Sequence, residues 1–243
     1  MIRSSLIITF LLSMMINNSV AQQTVTFEAK DGLTITADLY VSSTKNPYII
    51  LLHQAGYSRG EYREIAPKLV NLGYNCLAID QRSGDEVNYI KNETAARAKG
   101  KNLPTNYLDA LPDVYAAIDY VKSKSDKPIV LWGSSYSASL SLITAPEKLK
   151  VGALIVFSPG EYFEPSNFIQ SKISKISVPV LALSSKSENP ELVKLLSIVP
   201  KQLVTIFKPS DEGKHGSKAL WESNKSNKEY WMAVTMFFSK LKK

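Results

Sequence analysis

The sequence of 243 residues contains one cysteine and two histidines. A single cysteine cannot form an internal disulfide, even in an oxidising compartment. Cys76 lies in the apolar run Y-N-C-L-A-I-D, so we interpret it as a small buried side chain rather than a reactive thiol. The two histidines, His53 and His215, lie far apart in the sequence, which argues against a zinc site. We therefore expect neither a metal nor an organic cofactor.

No apolar run is long enough to predict a transmembrane helix. The run at residues 6–16 follows Arg3 and is itself followed by Ser19-Val20-Ala21, a small-x-small pattern. Together these features predict a secretory signal peptide, residues 1–21, that is cleaved after Ala21. The alternative is an uncleaved N-terminal anchor. We expect a periplasmic or secreted protein with no stable membrane insertion after cleavage.

The formal net charge is +7, but the lysines are scattered along helix-like faces. Because no basic patch is interleaved with aromatic residues, nucleic acid is not an expected partner. Hydrophobic residues make up 44% of the sequence and charged residues 21%, as in ordinary soluble domains. With no internal repeat and no linker, residues 22–243 are predicted to form a single domain.

From residue 24 onward, short apolar runs alternate with segments of helical periodicity. The predicted strands are 24–29, 33–40, 48–52, 76–79, 129–132, 153–157, 180–183 and 203–207; the predicted helices are 62–72, 93–99, 108–122, 139–148, 192–198 and 228–241. The strand 33–40 alternates apolar and polar residues, as an antiparallel, half-exposed edge does. This order predicts an α/β fold, with a mostly parallel sheet of about eight strands and helices on both faces.

A serine lies where the predicted strand 129–132 turns into a helix, in the sequence G-S-S-Y-S at 133–137. Such a sharp turn holds the serine backbone in a strained conformation and pushes the hydroxyl out of the sheet. The turn leaves little room two residues before and after its apex, a demand that Gly133 meets and Ser137 meets less well. Ser135 is therefore the candidate nucleophile, and a simple helix N-cap is the alternative.

A serine hydroxyl needs a base to accept its proton and an acid to orient that base. His215, in D-E-G-K-H-G-S after the predicted strand 203–207, is the candidate base, with an exposed loop histidine as the alternative. We interpret His53 as a structural support for the loop that follows strand 48–52. Asp80 and Arg82 are interpreted as a structural pair near the site.

Five segments, taken in order, resemble the α/β-hydrolase family, most closely its small dienelactone-hydrolase-like and esterase-like members. They are L-L-H-Q-A-G at 51–56, A-I-D-Q-R-S-G at 78–84, G-S-S-Y-S at 133–137, P-V-L-A-L-S-S-K-S-E at 179–188 and K-H-G-S at 214–217. The resemblance implies a Ser135, Glu188, His215 triad in the family's order of nucleophile, acid and base. Glu191 and Asp211 are the alternative acids. Because Cys76 is not in the elbow, the family's cysteine-nucleophile version does not apply.

The resemblance also implies an oxyanion hole formed by the backbone N–H groups of Ala55 and Tyr136. Three positions depart from the family pattern. The elbow ends in Ser137 rather than glycine, Gln54 stands where many members have glycine, and the acid is a glutamate where aspartate is commoner.

The expected function is that of a carboxylesterase-like serine hydrolase, which acts on a small-molecule ester through an acyl-enzyme. Residues 160–178 occupy the place where relatives insert a lid, and their small number predicts little or no cap domain. A serine peptidase or acyltransferase of the same fold, or a catalytically silent hydrolase-like binding protein, are the alternatives. Neither the natural substrate nor the oligomeric state follows from the sequence.

Overall fold

The computed structural model describes residues 21–148 and 150–241. The strands are β1 Ala21–Glu28, β2 Thr34–Val41, β3 Tyr48–Leu52, β4 Asn75–Ile79, β5 Glu86–Val87, β6 Ile90–Lys91, β7 Ile129–Ser134, β8 Val151–Phe157, β9 Val180–Leu183 and β10 Val204–Phe207. The α-helices are α1 Ile65–Asn71, α2 Glu93–Gly100, α3 Leu111–Lys122, α4 Tyr136–Thr144, α5 Asn189–Leu195 and α6 Asn227–Leu241. Short 3₁₀ turns cover Arg59–Tyr62, Leu108–Ala110, Ala145–Glu147, Ile173–Lys175, Leu196–Ile198, Lys201–Leu203 and Ser217–Leu220. The predicted signal peptide, apart from Ala21, lies outside the described residues.

Eight strands form one sheet in the order β1-β2-β4-β3-β7-β8-β9-β10. The pairs β1–β2 and β2–β4 are antiparallel, and the other pairs are parallel. The predicted mostly parallel sheet is therefore confirmed. The prediction that residues 33–40 form a half-exposed edge is wrong, because β1 covers the outer side of β2. The polar Thr36 and Asp38 of β2 are buried, and their hydrogen bonds with Arg97 and Arg59, respectively, offset the cost of that burial.

Apolar side chains fill a core on each face of the sheet. Side chains of α2, α3, α4 and α5 contribute to one core, and those of α1 and α6 contribute to the other. Within β3, Ile50 and Leu52 belong to the first core, while Ile49 and Leu51 belong to the second. A strand covered on both faces reads as a continuous apolar run, which explains why β3 was predicted with its observed bounds.

Several elements differ from their predicted bounds, among them α4 and the connection at 83–107. The helix predicted at 139–148 begins earlier, at Tyr136, directly after Ser135. Its first turns are rich in serine, so the sequence does not show the apolar periodicity of a helix there. These serines are nevertheless buried, and their hydroxyls bond within the protein, as Ser141 Oγ does with Ser137 O at 2.8 Å. The long connection at 83–107 contains α2, as predicted, and also the small β5–β6 hairpin, which was not predicted.

The loop that follows β8 is short, and no cap domain covers the rim in the part of the chain that the structure describes. Phe163 and Ile169 of this loop are buried in the core, whereas Tyr162 remains exposed at the rim. The prediction of little or no cap is confirmed.

Across residues 21–148 and 150–241, no helix combines the length and the apolar character that crossing a bilayer requires.

Buried ion pairs fix the chain where it leaves β4. Arg59 bonds with Asp80 at 2.6 Å and with Asp38 at 3.1 Å, and the two carboxylates are almost fully buried. Asp80 and Arg82 do not pair with each other, contrary to our interpretation. Arg82 bonds instead with Asp113 of α3 at 2.6 Å, because the chain turns after Ile79 and sends the two side chains to different elements.

Replacing Arg59 with methionine is predicted to destabilise the fold. The methionine keeps part of the aliphatic volume but leaves the buried Asp38 and Asp80 without their cation, which typically costs about 3–5 kcal/mol. Urea unfolding followed by circular dichroism measures the loss. Arg63→Met, at an exposed position four residues away, is the matched control and is expected to change stability by about 0.5 kcal/mol or less. Equal stability of the two variants would contradict the prediction.

Candidate active site

Ser135 lies at the turn between β7 and α4 with a backbone φ of 59° and ψ of −125°. A positive φ is rare for serine and carries strain, which the surrounding structure must maintain. The N–H of Ser135 donates to the Phe157 carbonyl of the neighbouring strand β8 at 2.8 Å. The predicted strained strand–helix turn is therefore present, with Ser135 at its apex.

The residues on either side of this turn explain how it closes. A Cβ at Gly133 would lie 2.3 Å from Ser137 O and 2.5 Å from Ala138 Cα, so only glycine fits there. Ser137, which replaces the usual glycine, is accommodated because its hydroxyl lies 2.5 Å from His53 O and 2.9 Å from Gln81 Oε1. The departure from the family pattern thus joins α4 to the chain segments that follow β3 and β4.

His215 follows β10, and its Nδ1 forms a hydrogen bond with Oε1 of Glu188. Glu188 comes after β9 and immediately precedes α5. The two alternative acids, Glu191 and Asp211, form no hydrogen bond with His215 among the described residues. Since the carboxylate accepts a hydrogen bond from Nδ1–H, the neutral imidazole leaves its Nε2 free to accept a proton.

The surroundings of Glu188 keep it ionised. Its Oε2 accepts hydrogen bonds from Ser158 Oγ at 2.7 Å and from the Ser185 N–H at 3.0 Å. Burial alone would raise the pKa of Glu188, but the hydrogen bonds with His215 and Ser158 outweigh burial and lower the pKa to about 2. Glu188 is therefore negatively charged at neutral pH, with the imidazole of His215 as its hydrogen-bond partner.

Ser158, which sequence analysis did not single out, links the acid to the histidine loop. Its hydroxyl donates to Glu188 and accepts from the N–H of Gly216 at 3.0 Å. Ser158 follows Phe157, whose carbonyl holds Ser135. A serine directly after a buried strand was the available signal, but nothing in the sequence pattern reveals which loop it contacts.

Two tyrosines lie near the turn at Ser135, Tyr162 beside Ser135 itself and Tyr107 against the next residue, Tyr136. The Tyr162 hydroxyl donates to Ser158 O at 2.9 Å. Burial raises the pKa of Tyr162, and hydrogen bonding with the Ser135 side chain partly offsets the effect. Tyr107 stacks on the buried ring of Tyr136 with centroids 4.6 Å apart. Both Tyr107 and Tyr162 remain partly exposed, so their rings are accessible from solvent near the turn that carries the predicted nucleophile.

The neighbouring hydrogen bonds define the direction of the two predicted oxyanion donors, Ala55 and Tyr136. The Gln54 carbonyl accepts hydrogen bonds from His53 Nδ1 at 2.9 Å and from the Tyr57 N–H at 3.2 Å. Because the Gln54–Ala55 peptide is trans, the Ala55 N–H points in the opposite direction. The Tyr136 N–H is the first of α4 and has no intrahelical acceptor. In the described part of the chain, neither N–H donates to a protein acceptor.

His53 is fully buried, and burial lowers the pKa of His53 to about 4. Its Nε2 accepts the Gln81 N–H at 2.9 Å while Nδ1 holds the Gln54 carbonyl. These contacts agree with its interpretation as a structural support for the loop.

Cys76 is also buried, and burial raises the pKa of its thiol. Within residues 21–148 and 150–241, no cluster of three or more potential metal ligands occurs.

Strand order, helices on both faces and a serine at a strained strand–helix turn define an α/β-hydrolase fold. The chain belongs to the dienelactone hydrolase family, whose sequence model matches residues 35–193. The matched segment contains Ser135 and Glu188, while His215 lies beyond it. The predicted resemblance is confirmed.

Solved structures show the same fold at low sequence identity. A dienelactone hydrolase from Anabaena variabilis is 15% identical, with a TM-score of 0.69 over 91% of this chain and 98% of the other. The Pyrococcus furiosus esterase Pf2001 is 16% identical, with a TM-score of 0.63 over 91% of this chain and 93% of the other. These similarities establish the architecture.

Two curated relatives are much larger proteins. A non-reducing polyketide synthase from Emericella nidulans is 28% identical over 168 residues, which are 61% of this chain and 6% of the synthase. A non-reducing polyketide synthase from Aspergillus terreus is 27% identical over 169 residues, 61% of this chain and 7% of the synthase. The chain therefore spans only a small fraction of the length of these relatives.

The charge of Glu188 is predicted to make the stability of the protein depend on pH. The pKa of Glu188 is about 2 in the folded protein and 4.5 ordinarily. Its stabilising contribution is therefore present above about pH 4.5 and is lost as the pH falls towards about 2. Thermal unfolding should give Glu188→Gln a lower Tm than the wild type near neutral pH, with the difference shrinking below about pH 4.5. Glu191→Gln, at an exposed position on α5, is the control; a Tm difference that is independent of pH would contradict the prediction.

Proposed function

We propose that the protein is a serine hydrolase that cleaves small carboxylic esters through an acyl-enzyme intermediate. The observation that carries the proposal is the hydrogen-bonded His215–Glu188 pair. It shares a rim of the sheet with the strained turn at Ser135, because Ser158 contacts the acid and the histidine loop while its neighbour Phe157 holds Ser135. Family membership supports hydrolysis as the reaction class.

In the proposed first step, Ser135 Oγ attacks the ester carbonyl carbon and His215 Nε2 accepts the hydroxyl proton. The resulting imidazolium is stabilised by the ionised Glu188. The same Nε2 then donates the proton to the departing alcohol, which leaves the acyl group on Ser135. A water molecule then attacks the acyl carbon while His215 Nε2 accepts its proton. The bond between the acyl carbon and Ser135 Oγ breaks, His215 returns the proton to that oxygen, and the carboxylic acid leaves.

The negative charge that develops on the carbonyl oxygen requires donors that are already in position. In our proposal the N–H groups of Ala55 and Tyr136 supply them, the second also benefiting from its place at the N-terminus of α4. Removing one such donor from an acyl-transfer enzyme typically costs about 3 kcal/mol of transition-state stabilisation. The donors need no rearrangement because the loop and the helix hold them.

The open rim favours small or exposed esters as substrates. With no cap among the described residues, we infer that the partly exposed rings of Tyr107 and Tyr162 border the approach to Ser135. These rings offer apolar, flat surfaces to an acyl chain or an alcohol group. We therefore infer a preference for short or planar esters over bulky lipids.

Fluorophosphonate labelling and hydrolysis of short p-nitrophenyl esters test the proposal. Ser135→Ala should abolish labelling and lower kcat by about 10⁴-fold or more, and His215→Ala should lower kcat by a similar factor. Glu188→Gln should lower kcat by about 10²–10⁴-fold, because the imidazole loses its orienting charge. Ser171→Ala, at an exposed serine of the loop after β8, is the matched control and should keep full activity.

Labelling that survives Ser135→Ala would show that the nucleophile is another residue. Absence of labelling in the wild type would favour the catalytically silent binding protein. Full turnover by Glu188→Gln would transfer the role of the acid to another carboxylate, such as Asp211.

We also propose that residues 1–21 direct export and are then removed, so that the protein acts in the periplasm or outside the cell. The charged start, the apolar run at 6–16 and the small residues before position 22 support this proposal. Expression of the full sequence in a Gram-negative host should yield an exported protein with Gln22 as its first residue, measured by mass spectrometry. A variant without residues 2–21 should stay in the cytoplasm; an exported protein that retains them would contradict cleavage.

A further inference from the structure

One buried carboxyl group near the candidate active site has no part in the proposed triad. Glu61 lies in the 3₁₀ turn Arg59–Tyr62 and is fully buried. Burial raises the pKa of Glu61 to about 7, and hydrogen bonds from Ser134 and Gln54 offset only part of this effect. Burying a carboxyl group costs free energy that its hydrogen bonds must offset. The contacts of Glu61 therefore point to a role beyond stabilising the fold.

The first contact fixes the oxyanion loop. Glu61 Oε2 accepts the N–H of Gln54 at 2.8 Å. The carbonyl of the same residue is held by His53 Nδ1. With both backbone groups of Gln54 restrained by buried side chains, the next peptide cannot rotate freely. The direction of the Ala55 N–H, the predicted oxyanion donor, is therefore set in part by Glu61.

The second contact reaches the elbow and the histidine loop. Glu61 Oε1 accepts a hydrogen bond from the Ser134 hydroxyl at 2.7 Å. The same hydroxyl accepts the N–H of Ser217 at 2.8 Å. Ser134 precedes the predicted nucleophile, and Ser217 lies two residues after His215. One carboxyl group thus joins the segments that carry the donor, the nucleophile and the base.

The segments that Glu61 joins pack closely against one another at Gly216. Gly216 has a positive φ of 73°, and a Cβ at this position would lie 2.7 Å from Ser134 Oγ and 2.8 Å from Gln54 Oε1. The histidine loop therefore lies directly against both partners of Glu61. A small shift of either partner would move His215 relative to Ser135.

We propose that Glu61 is a positioning residue that holds the Ala55 N–H and the histidine loop in the arrangement required by the transition state. The inference rests on the proposed serine hydrolase function. Because the groups it holds act on charge that develops during the reaction, its loss should affect kcat far more than KM.

Glu61→Gln preserves the shape of the side chain but retains only one acceptor oxygen for two donors. We expect kcat for a short p-nitrophenyl ester to fall by about 10–100-fold while KM changes by less than about threefold. Affinity for a trifluoromethyl ketone, which forms a tetrahedral oxyanion adduct with the serine, should fall in proportion to kcat. Ser134→Ala cuts the link to the histidine loop and should lower kcat in the same direction. Glu64→Gln, at an exposed position three residues away, is the control and should leave all three quantities unchanged.

The outcomes separate this inference from the function on which it rests. An active wild type with unchanged kcat and ketone affinity in Glu61→Gln and Ser134→Ala would overturn the role of Glu61 alone, whatever happens to Tm. An inactive, unlabelled wild type would overturn both proposals together. Should Glu61→Gln fail to fold, Ser134→Ala decides: a loss of kcat and ketone affinity supports the inference, and unchanged values refute it. In the double variant, a loss smaller than the product of the single losses would support action through one shared link.

Discussion

The backbone turn at Ser135 is the constraint on which the site depends. A serine with positive φ costs on the order of 1–3 kcal/mol and persists only where its surroundings impose it. Here Gly133 lets α4 approach β7, and the hydrogen bond from Ser135 to Phe157 ties the turn to the next strand. The sheet therefore supplies the rigidity, and the strained residue receives a fixed direction at the carboxyl ends of the parallel strands.

Serine hydroxyls connect the segments around that turn. Ser137 reaches the chain after β3 and β4, Ser158 joins Glu188 to Gly216, and Ser134 joins Glu61 to Ser217. A hydroxyl can donate one hydrogen bond and accept others, so each serves as a compact link between segments that lie side by side. No cap domain covers the rim of the sheet in the described residues. The hydrogen bonds of these serines therefore hold the loops at the rim in their positions.

The parts of this structure that the sequence predicted are those with a local cause. A strand buried on both faces forms an apolar run, as in β3, and a sharp strand–helix turn requires small residues, as at Gly133. Contacts between distant segments have no such signature. The interpretation of Asp80 and Arg82 as a pair is wrong for this reason. The burial of Glu61 has no signal in the sequence either, because a glutamate in a polar stretch looks like a surface residue. The start of α4 was missed because its serines hide the helical period.

Two carboxyl groups near His215 experience opposite environments, and the difference follows from their contacts. Glu188 is partly exposed, receives hydrogen bonds from His215, Ser158 and Ser185, and has a pKa of about 2. Glu61 is fully buried, receives two hydrogen bonds, and has a pKa of about 7. In the proposed mechanism, the charge on Glu188 stabilises the positive charge that His215 gains when it accepts the proton of Ser135. A full charge beneath the oxyanion loop would repel the developing oxyanion, and the raised pKa of Glu61 reduces that charge at neutral pH. Environments that separate the pKa values of two carboxyls in this way allow one to act as the charged partner of the proposed base, His215, and the other to serve as a structural link.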